Sequence, residues 1–316
     1  MTRSSRPEPG LGHAGGMPTI LSFDDLLREV ALVPALEVAI VGATDPSLLA
    51  GMVEAAHAGI IEPVLVGSAE AVRECAAQVE GADAYEIIDA PTEDAAALVG
   101  VDLVRSGRVG GLVKGHVHTA SFMHPVVQHL RTTRRVSHVF IVELSSYPKL
   151  LMISDAAVNI APDLMTKAAI VNNAVELARC FGLEQPRVAV LSSMETVNPA
   201  VPSTIDAACL AKMADRNQIP HAIVDGPLAF DGAISAESTR MKGFVSPVSG
   251  EVDILLAPDI DAGNILVKDL EYLANGTLAG IVLGASAPIV LTSRADPPRS
   301  RLLSCAIAAI LAHDAS

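Results

Sequence analysis

The chain reads as an α/β protein, and three features of its sequence carry that reading. Short β-branched apolar runs alternate with longer stretches of helical period. The runs are continuously apolar, which marks parallel strands covered on both faces. Glycine and proline gather just after several of them, where strand gives way to loop.

In chain order, residues 37–41 (EVAIV) form the first expected strand and 42–46 (GATDP) end it. Thr44 or Asp45 ahead of Pro46 is a helix start, an acceptor side chain followed by a residue that needs no N–H. Strand 63–66 precedes a helix at 69–78, and helix 92–105 precedes strand 111–113. A helix opening at Thr119 runs through Leu130, and strands 139–143 and 151–154 follow. Helix 164–179, strand 188–191, helix 204–216, strand 253–256 and helix 264–273 repeat the alternation. Strands at 281–283 and 289–291 lead into a last helix at 301–311. The strand-end loops at 42–46, 225–227, 257–259 and 286–288 are the expected ligand edge, because open parallel sheets bind ligands beyond their strands' C-terminal ends. Residues 1–17, rich in Gly, Pro and Ser without period, are expected to form a flexible leader, with Met17 an alternative start.

Composition narrows the function. Apolar residues make up 50% of the chain and charged ones 18%, enough apolar matter for a sizeable core. No apolar run reaches the ~18 residues of a membrane span; the longest, 278–292, is broken by Gly280, Gly284 and Pro288. The net charge of −14 and the 3% of aromatics argue against a nucleic-acid surface. A small anionic substrate stays open if a few cations are focused in one place. Cys75, Cys180, Cys209 and Cys305 are scattered, which fits reduced thiols in a cytoplasm, and no apolar signal-peptide core follows Arg3 and Arg6.

Neither a GxGxxG nor a Walker A loop is present, which disfavours nicotinamide and ATP enzymes of the common fingerprints. Residues 114–119 (KGHVHT) set Lys114 at a strand end before a helix start, an arrangement suited to an anion or to a solvated cap. His116, His118, His124 and His129 cluster in sequence, but His124 and His129 point apart on a helix and no ligand spacing joins them, so no metal is expected. The densest polar stretch is 292–301 (TSRADPPRSR). Its hydroxyls, guanidiniums and carboxylate after a buried run suit phosphate or a developing oxyanion, and equally an ordinary helix start.

Five segments in order resemble the phosphate acetyl/butyryl transferases: KGHVHT (114–119), SDAAVNIAP (154–162), DGPLAFD (225–231), APDIDAGNI (257–265) and PIVLTSRAD (288–296). The stretch from Thr196 is similar to the form often fused behind an enoyl-CoA hydratase domain, here standing alone. The resemblance implies two three-layer α/β/α domains with a central cleft, isocitrate/isopropylmalate dehydrogenase-like. On that pattern residues 18–142 plus 290–316 form the first domain and 143–289 an inserted second one. The implied reaction is reversible acyl transfer between coenzyme A and inorganic phosphate. Both are substrates, with no cofactor, in a cytoplasmic homodimer or higher homo-oligomer. Ser293 and Arg294 match the family's Ser-Arg pair, and Lys114, His118 and Thr119 match the other wall of the cleft. Asn159, Asp225, Asp259 and Asn264 match polar loop-end positions, implied to bind substrate or to shape the loops. Acetyl-specific members carry Asp seven residues after the Ser, where this chain has Ser300, implied to bind substrate, and Arg where it has His124. Asp296 is therefore the candidate thiol base. A metal- and NAD-dependent dehydrogenase of the same fold, using Asp253, Asp259 and Asp261, and a non-catalytic acyl-CoA-binding relative are the alternatives.

Overall fold

The computed structural model describes residues 18–291, 293 and 296–314. The first part of the chain runs α1 (Phe23–Val30), β1 (Leu36–Val41), α2 (Pro46–His57), β2 (Ile61–Gly67), α3 (Ala69–Ala76), β3 (Ile87–Asp89), α4 (Glu93–Arg105), β4 (Gly111–Lys114), α5 (Thr119–His129) and β5 (Ser137–Glu143). The rest runs β6 (Leu151–Ser154), α6 (Leu164–Cys180), β7 (Arg187–Leu191), α7 (Pro202–Asp215), β8 (Ile223–Leu228), α8 (Phe230–Ile234), α9 (Ala236–Lys242), β9 (Ile254–Leu256), α10 (Ile260–Tyr272), β10 (Thr277–Leu283), β11 (Ile289–Val290) and α11 (Pro298–Asp314). Local chemistry starts the helices. Asp45 accepts from Leu48 N at 2.7 Å with Pro46 as the first helical residue, so Asp45 and not Thr44 caps α2. Thr92, Asp163 and Asp259 cap α4, α6 and α10 in the same way.

All eleven strands join one sheet in the order β3-β2-β1-β4-β11-β10-β5-β6-β9-β7-β8. It is not parallel throughout, as the apolar runs had suggested. β10 is antiparallel to both β11 and β5, and β5 to β6. The links 284–288 and 144–150 are too short for a crossover, which takes a dozen or more residues. The polarity therefore inverts across the centre: β6, β7, β8 and β9 point opposite to β1, β2, β4 and β11. The strand-end loops accordingly lie at two edges, not one. Residues 225–227, read as a loop, lie inside edge strand β8, where a proline costs no ladder bond.

One face of the sheet carries a single apolar cluster beneath α1, α2, α6 and α11, with Val139 and Ile141 of β5 and Ala279 and Ile281 of β10 at its centre. The other face carries two. One, beneath α4 and α5, includes Val282 and Ile289; the second, beneath α10, includes Val142 and Leu278. Between them runs a seam over β5 and β10, floored by His138, Phe140 and Gly280.

Candidate active site

β1, β4 and β11 end side by side, with Val41 opposite Lys114 and Val113 opposite Val290. The loops that follow are locked together. Gly115 N donates to Val41 O and His116 N to Gly42 O, both at 2.8 Å. A Cβ on Gly115 would lie 2.4 Å from Gly42 O, so only glycine fits there. Lys114 is buried, with Nζ 3.4 Å from Gly115 O. His118 and Thr119 are exposed at the start of α5. The anion at that helix start is the protein's own: Glu93 Oε2 accepts from His118 N at 2.9 Å and lies 2.8 Å from His118 Nδ1. These hydrogen bonds hold the Glu93 carboxyl below its usual range.

The loop after β11 forms a tight turn. Ser293 N donates to Asp296 Oδ2 at 2.7 Å, and Asp296 N to Ser293 O at 3.2 Å. Burial raises the Asp296 pKa above the usual carboxylate value. The Ser293 N–H, Lys268 and Arg301 work against that rise, and Glu271 adds to it. Arg294, the other half of the Ser-Arg pair, lies outside the described residues. Ser300 is buried in the first turn of α11, its carbonyl accepting from Ser304 Oγ. The two described arginines of 292–301 also reach outside the loop. Arg299 reaches Asp24 on α1 at 3.6 Å, and Arg301 is enclosed with Nη1 3.0 Å from Ser47 Oγ. Both belong to α11, whose packing against α1 and α2 claims them.

Lys268 and Glu271, on α10 from the other side of the seam, escaped the sequence reading. Lys268 Nζ is 2.7 Å from Glu271 Oε2 and 5.6 Å from the Tyr272 ring centre. Both act electrostatically on Asp296, which brings α10 to the loop of Ser293. An acid–base pair at i, i+3 reads as an ordinary solvated helix face, so nothing in the sequence marked it.

The remaining candidates gather at the opposite edge. Asn159 is buried and committed to internal bonds: its Nδ2 donates to Asp155 Oδ2 (2.6 Å) and Val136 O, and its Oδ1 accepts from Arg135 Nε at 2.9 Å. Asn264 Nδ2 donates to Ala156 O at 3.3 Å, and Asp225 Oδ1 accepts from Gly226 N. Asp259 caps α10 and lines a cavity of about 720 Å³ with Ser192, Ser193, Ser203, Lys167 and Asp206. Asp253, a ligand candidate for the dehydrogenase alternative, is buried and taken by Lys149 and Arg187 N. Among the described residues no three His, Cys, Asp or Glu groups converge as a metal site. Cys180 and Cys305 are buried, with burial pushing both thiols up to about 12, far from a nucleophile's range. No described helix is long and apolar enough to cross a membrane.

A sheet whose halves run in opposite senses, with a Ser–Asp turn and a lysine on adjacent strand ends, marks an α/β protein without the common nucleotide fingerprints. The chain belongs to the phosphate acetyl/butaryl transferase family, whose sequence model matches residues 84–309. It is 52% identical over 230 residues to the phosphate acetyltransferase of Rhizobium meliloti, covering 72% of this chain and 73% of that one. To the phosphate butyryltransferase of Clostridium acetobutylicum it is 44% identical over 231 residues, covering 72% and 77%. A branched-chain phosphotransacylase from Enterococcus faecalis superposes with a TM-score of 0.76 at 30% identity, over 88% of this chain and 99% of that one. The fold is also that of a 4-hydroxythreonine-4-phosphate dehydrogenase from Klebsiella pneumoniae (TM-score 0.55, 14% identity, 88% and 99% covered).

Proposed function

We propose that the protein transfers an acetyl or butyryl group reversibly between coenzyme A and inorganic phosphate, in a ternary complex and without a cofactor. The observation that carries this reading is that the family's Ser-Arg segment and its KGHVHT segment leave neighbouring parallel strands at one level. In the thioester-forming direction Asp296 takes the thiol proton. The thiolate attacks the carbonyl carbon of the acyl phosphate, and phosphate departs with the electron pair of the broken C–O bond. Burial suits Asp296 to the task, because raising its pKa brings it toward that of a thiol near 8.5. Ser293, Arg294 and Lys114 hold the phosphate and the reacting carbonyl, with His118 and Thr119 at the rim. Ser300 supports the loop from beneath.

At the other edge, the cavity lined by Asp259 suits the nucleotide end of coenzyme A. Asn159, Asp225 and Asn264 serve the architecture around it. The reversal of strand polarity at β10-β5-β6, with two apolar clusters flanking the seam, supports a first unit of 18–142 plus 290–316 and a second of 143–289. We further assign the protein to the cytoplasm as a homodimer. Its interface is the groove of about 870 Å³ between α6 and α7, rimmed by exposed Met165, Val197 and Ile205. The test is thiol release from acetyl-, propionyl- and butyryl-CoA with and without phosphate. Phosphate-dependent release supports the reading, and its absence with all three overturns it.

A further inference from the structure

The C-terminal turn of α10 stands at the same edge of the sheet as the Ser293 turn. β10 is antiparallel to β11, so β10 begins, at Thr277, at the edge where β11 ends. Only residues 273–276 separate α10 from β10. Ala274 N donates to Asp269 O and Gly276 N to Leu270 O, which folds that link tightly against the helix end. A Cβ at Gly276 would lie 2.9 Å from both Leu270 O and Val142 Cγ1, so the turn is also pressed onto the end of β5. Val267 lies in the apolar cluster beneath α10, with Leu266 and Leu270 packed against it. That anchoring leaves Lys268, Glu271 and Tyr272, at i, i+3 and i+4, on a face of their own.

Other described cations of this edge are engaged. Lys114 is buried with Nζ 3.4 Å from Gly115 O, Arg301 is enclosed against Ser47, and Arg299 reaches Asp24. Lys268 differs from them. Its side chain is 37% exposed, and its partner Glu271, 2.7 Å away, is 14% exposed. A partly exposed ion pair of this sort contributes little, so a dianion can draw the ammonium away from a single carboxylate. The Asp296 carboxyl already feels Lys268, and more strongly than it feels Glu271 or Arg301, so the ammonium stands within electrostatic reach of the Ser293 turn. An ionised Asp296 repels a phosphate dianion beside it, and a cation within reach of both offsets that repulsion.

We propose that Lys268 is a further substrate-contacting residue of the acyl-transfer site, whose ammonium leaves Glu271 to bind the phosphate group, as inorganic phosphate or as the phosphoryl end of the acyl phosphate. The proposal rests on the acyl-transfer reading. Lys268 makes no covalent bond and moves no proton. It brings charge from α10 while the Ser293 turn closes from β11, so the phosphate is held from both sides. The four-carbon stem lets the ammonium change partners, and the Tyr272 ring, 5.6 Å away, gives it a second resting place. Glu271 competes with phosphate for the same ammonium. The two members of the pair therefore act in opposite senses on phosphate binding, which an ion pair kept only for helix stability would not do.

The test compares the wild type with Lys268→Gln, Lys268→Arg and Glu271→Gln. Thiol release from acetyl-CoA is followed as inorganic phosphate is varied. Lys268→Gln should raise the phosphate KM about tenfold, the usual weight of one charge-assisted hydrogen bond, with the acetyl-CoA KM little changed. Lys268→Arg should keep most of the affinity, and Glu271→Gln should lower the phosphate KM. Calorimetric titration of inorganic phosphate into each protein should give the same order without turnover. A phosphate KM and affinity unchanged in Lys268→Gln overturn the proposal. So does a rise confined to the acetyl-CoA KM, which would give the ammonium to coenzyme A. Shifts of one sign in Lys268→Gln and Glu271→Gln, following a common fall in Tm, are what a merely structural pair gives, and they overturn it too. Should Lys268→Gln fail to fold, Glu271→Gln decides: a lowered phosphate KM supports the contact and an unchanged one overturns it. No thiol release by the wild type overturns the acyl-transfer reading itself, whereas wild-type turnover with an unmoved phosphate KM in Lys268→Gln overturns only the role of Lys268.

Discussion

Replacing Asp296 with Asn separates its proposed role as thiol base from its part in the Ser293 turn. The amide oxygen can still accept from Ser293 N, the 2.7 Å bond that closes the loop. What disappears is the charge and with it the ability to take a proton. Removal of a general base costs about 10²–10⁴-fold in kcat, or roughly 2.7–5.4 kcal/mol of transition-state free energy at 1.36 kcal/mol per decade. Stability should move the other way. Burial raises the folded-state pKa of Asp296, so the folded protein holds this proton more tightly than the unfolded chain does. The ionised carboxylate therefore weakens folding above its folded pKa, and that penalty fades as pH falls through the folded pKa toward the ordinary value of 3.8. Asp296→Asn should match or exceed the wild-type Tm at pH 7–8, and the difference should shrink near pH 4. Thiol consumption with acyl phosphate and CoA, followed from pH 6 to 9, gives the kinetic half. The loss should narrow as pH approaches the free-thiol pKa. Wild-type kcat with an unaltered pH profile would refute the assignment, even if the stability shift appeared.

Arg294→Gln should cost roughly 10²–10³-fold in kcat and raise the phosphate KM, with Arg294→Lys only partly restored because lysine lacks the bidentate fork; near-normal turnover in both would remove this loop from the active site. Replacing Cys75, Cys180, Cys209 and Cys305 together by Ala or Ser should leave kcat within a few-fold of wild type, and a labelled acyl group trapped on the intact protein would contradict direct transfer. Gly115→Ala should lower the Tm and kcat together, since its Cβ would sit 2.4 Å from Gly42 O and force apart the two loops beside Lys114; an unchanged Tm would show that the loops yield freely.

The layered alternation of strand and helix was legible because apolar runs and caps such as Asp45-Pro46 are local signals. The polarity of the sheet was not read, although the five-residue link from Leu283 to Ile289 is too short for anything but an antiparallel return. The candidate site was half legible. Lys114, Ser293 and Asp296 stand at adjacent strand ends, whereas Arg299 and Arg301, one basic run in the linear string, diverge. Two residues apart on a helix they face opposite ways, one to Asp24 and one inward to Ser47.

The last helix imposes an order on synthesis. Leu302, Leu303, Cys305, Ala306, Ile307 and Ile310 of α11 complete the apolar cluster against Phe23 and Leu26 of α1 and Leu49 and Met52 of α2. When residue 142 leaves the ribosome, the early strands and helices exist but one wall of their core does not. At ~5–20 residues per second, roughly 170 further residues mean a wait of about 10–30 s with that surface open. The intervening chain, from β6 to β9, fills a cluster of its own on the other face, while its α6 face shares the cluster that α11 completes. The part of the protein made first is thus the last to close, and a ribosome stalled before α11 holds an unfinished core that an aggregate or a chaperone would find first.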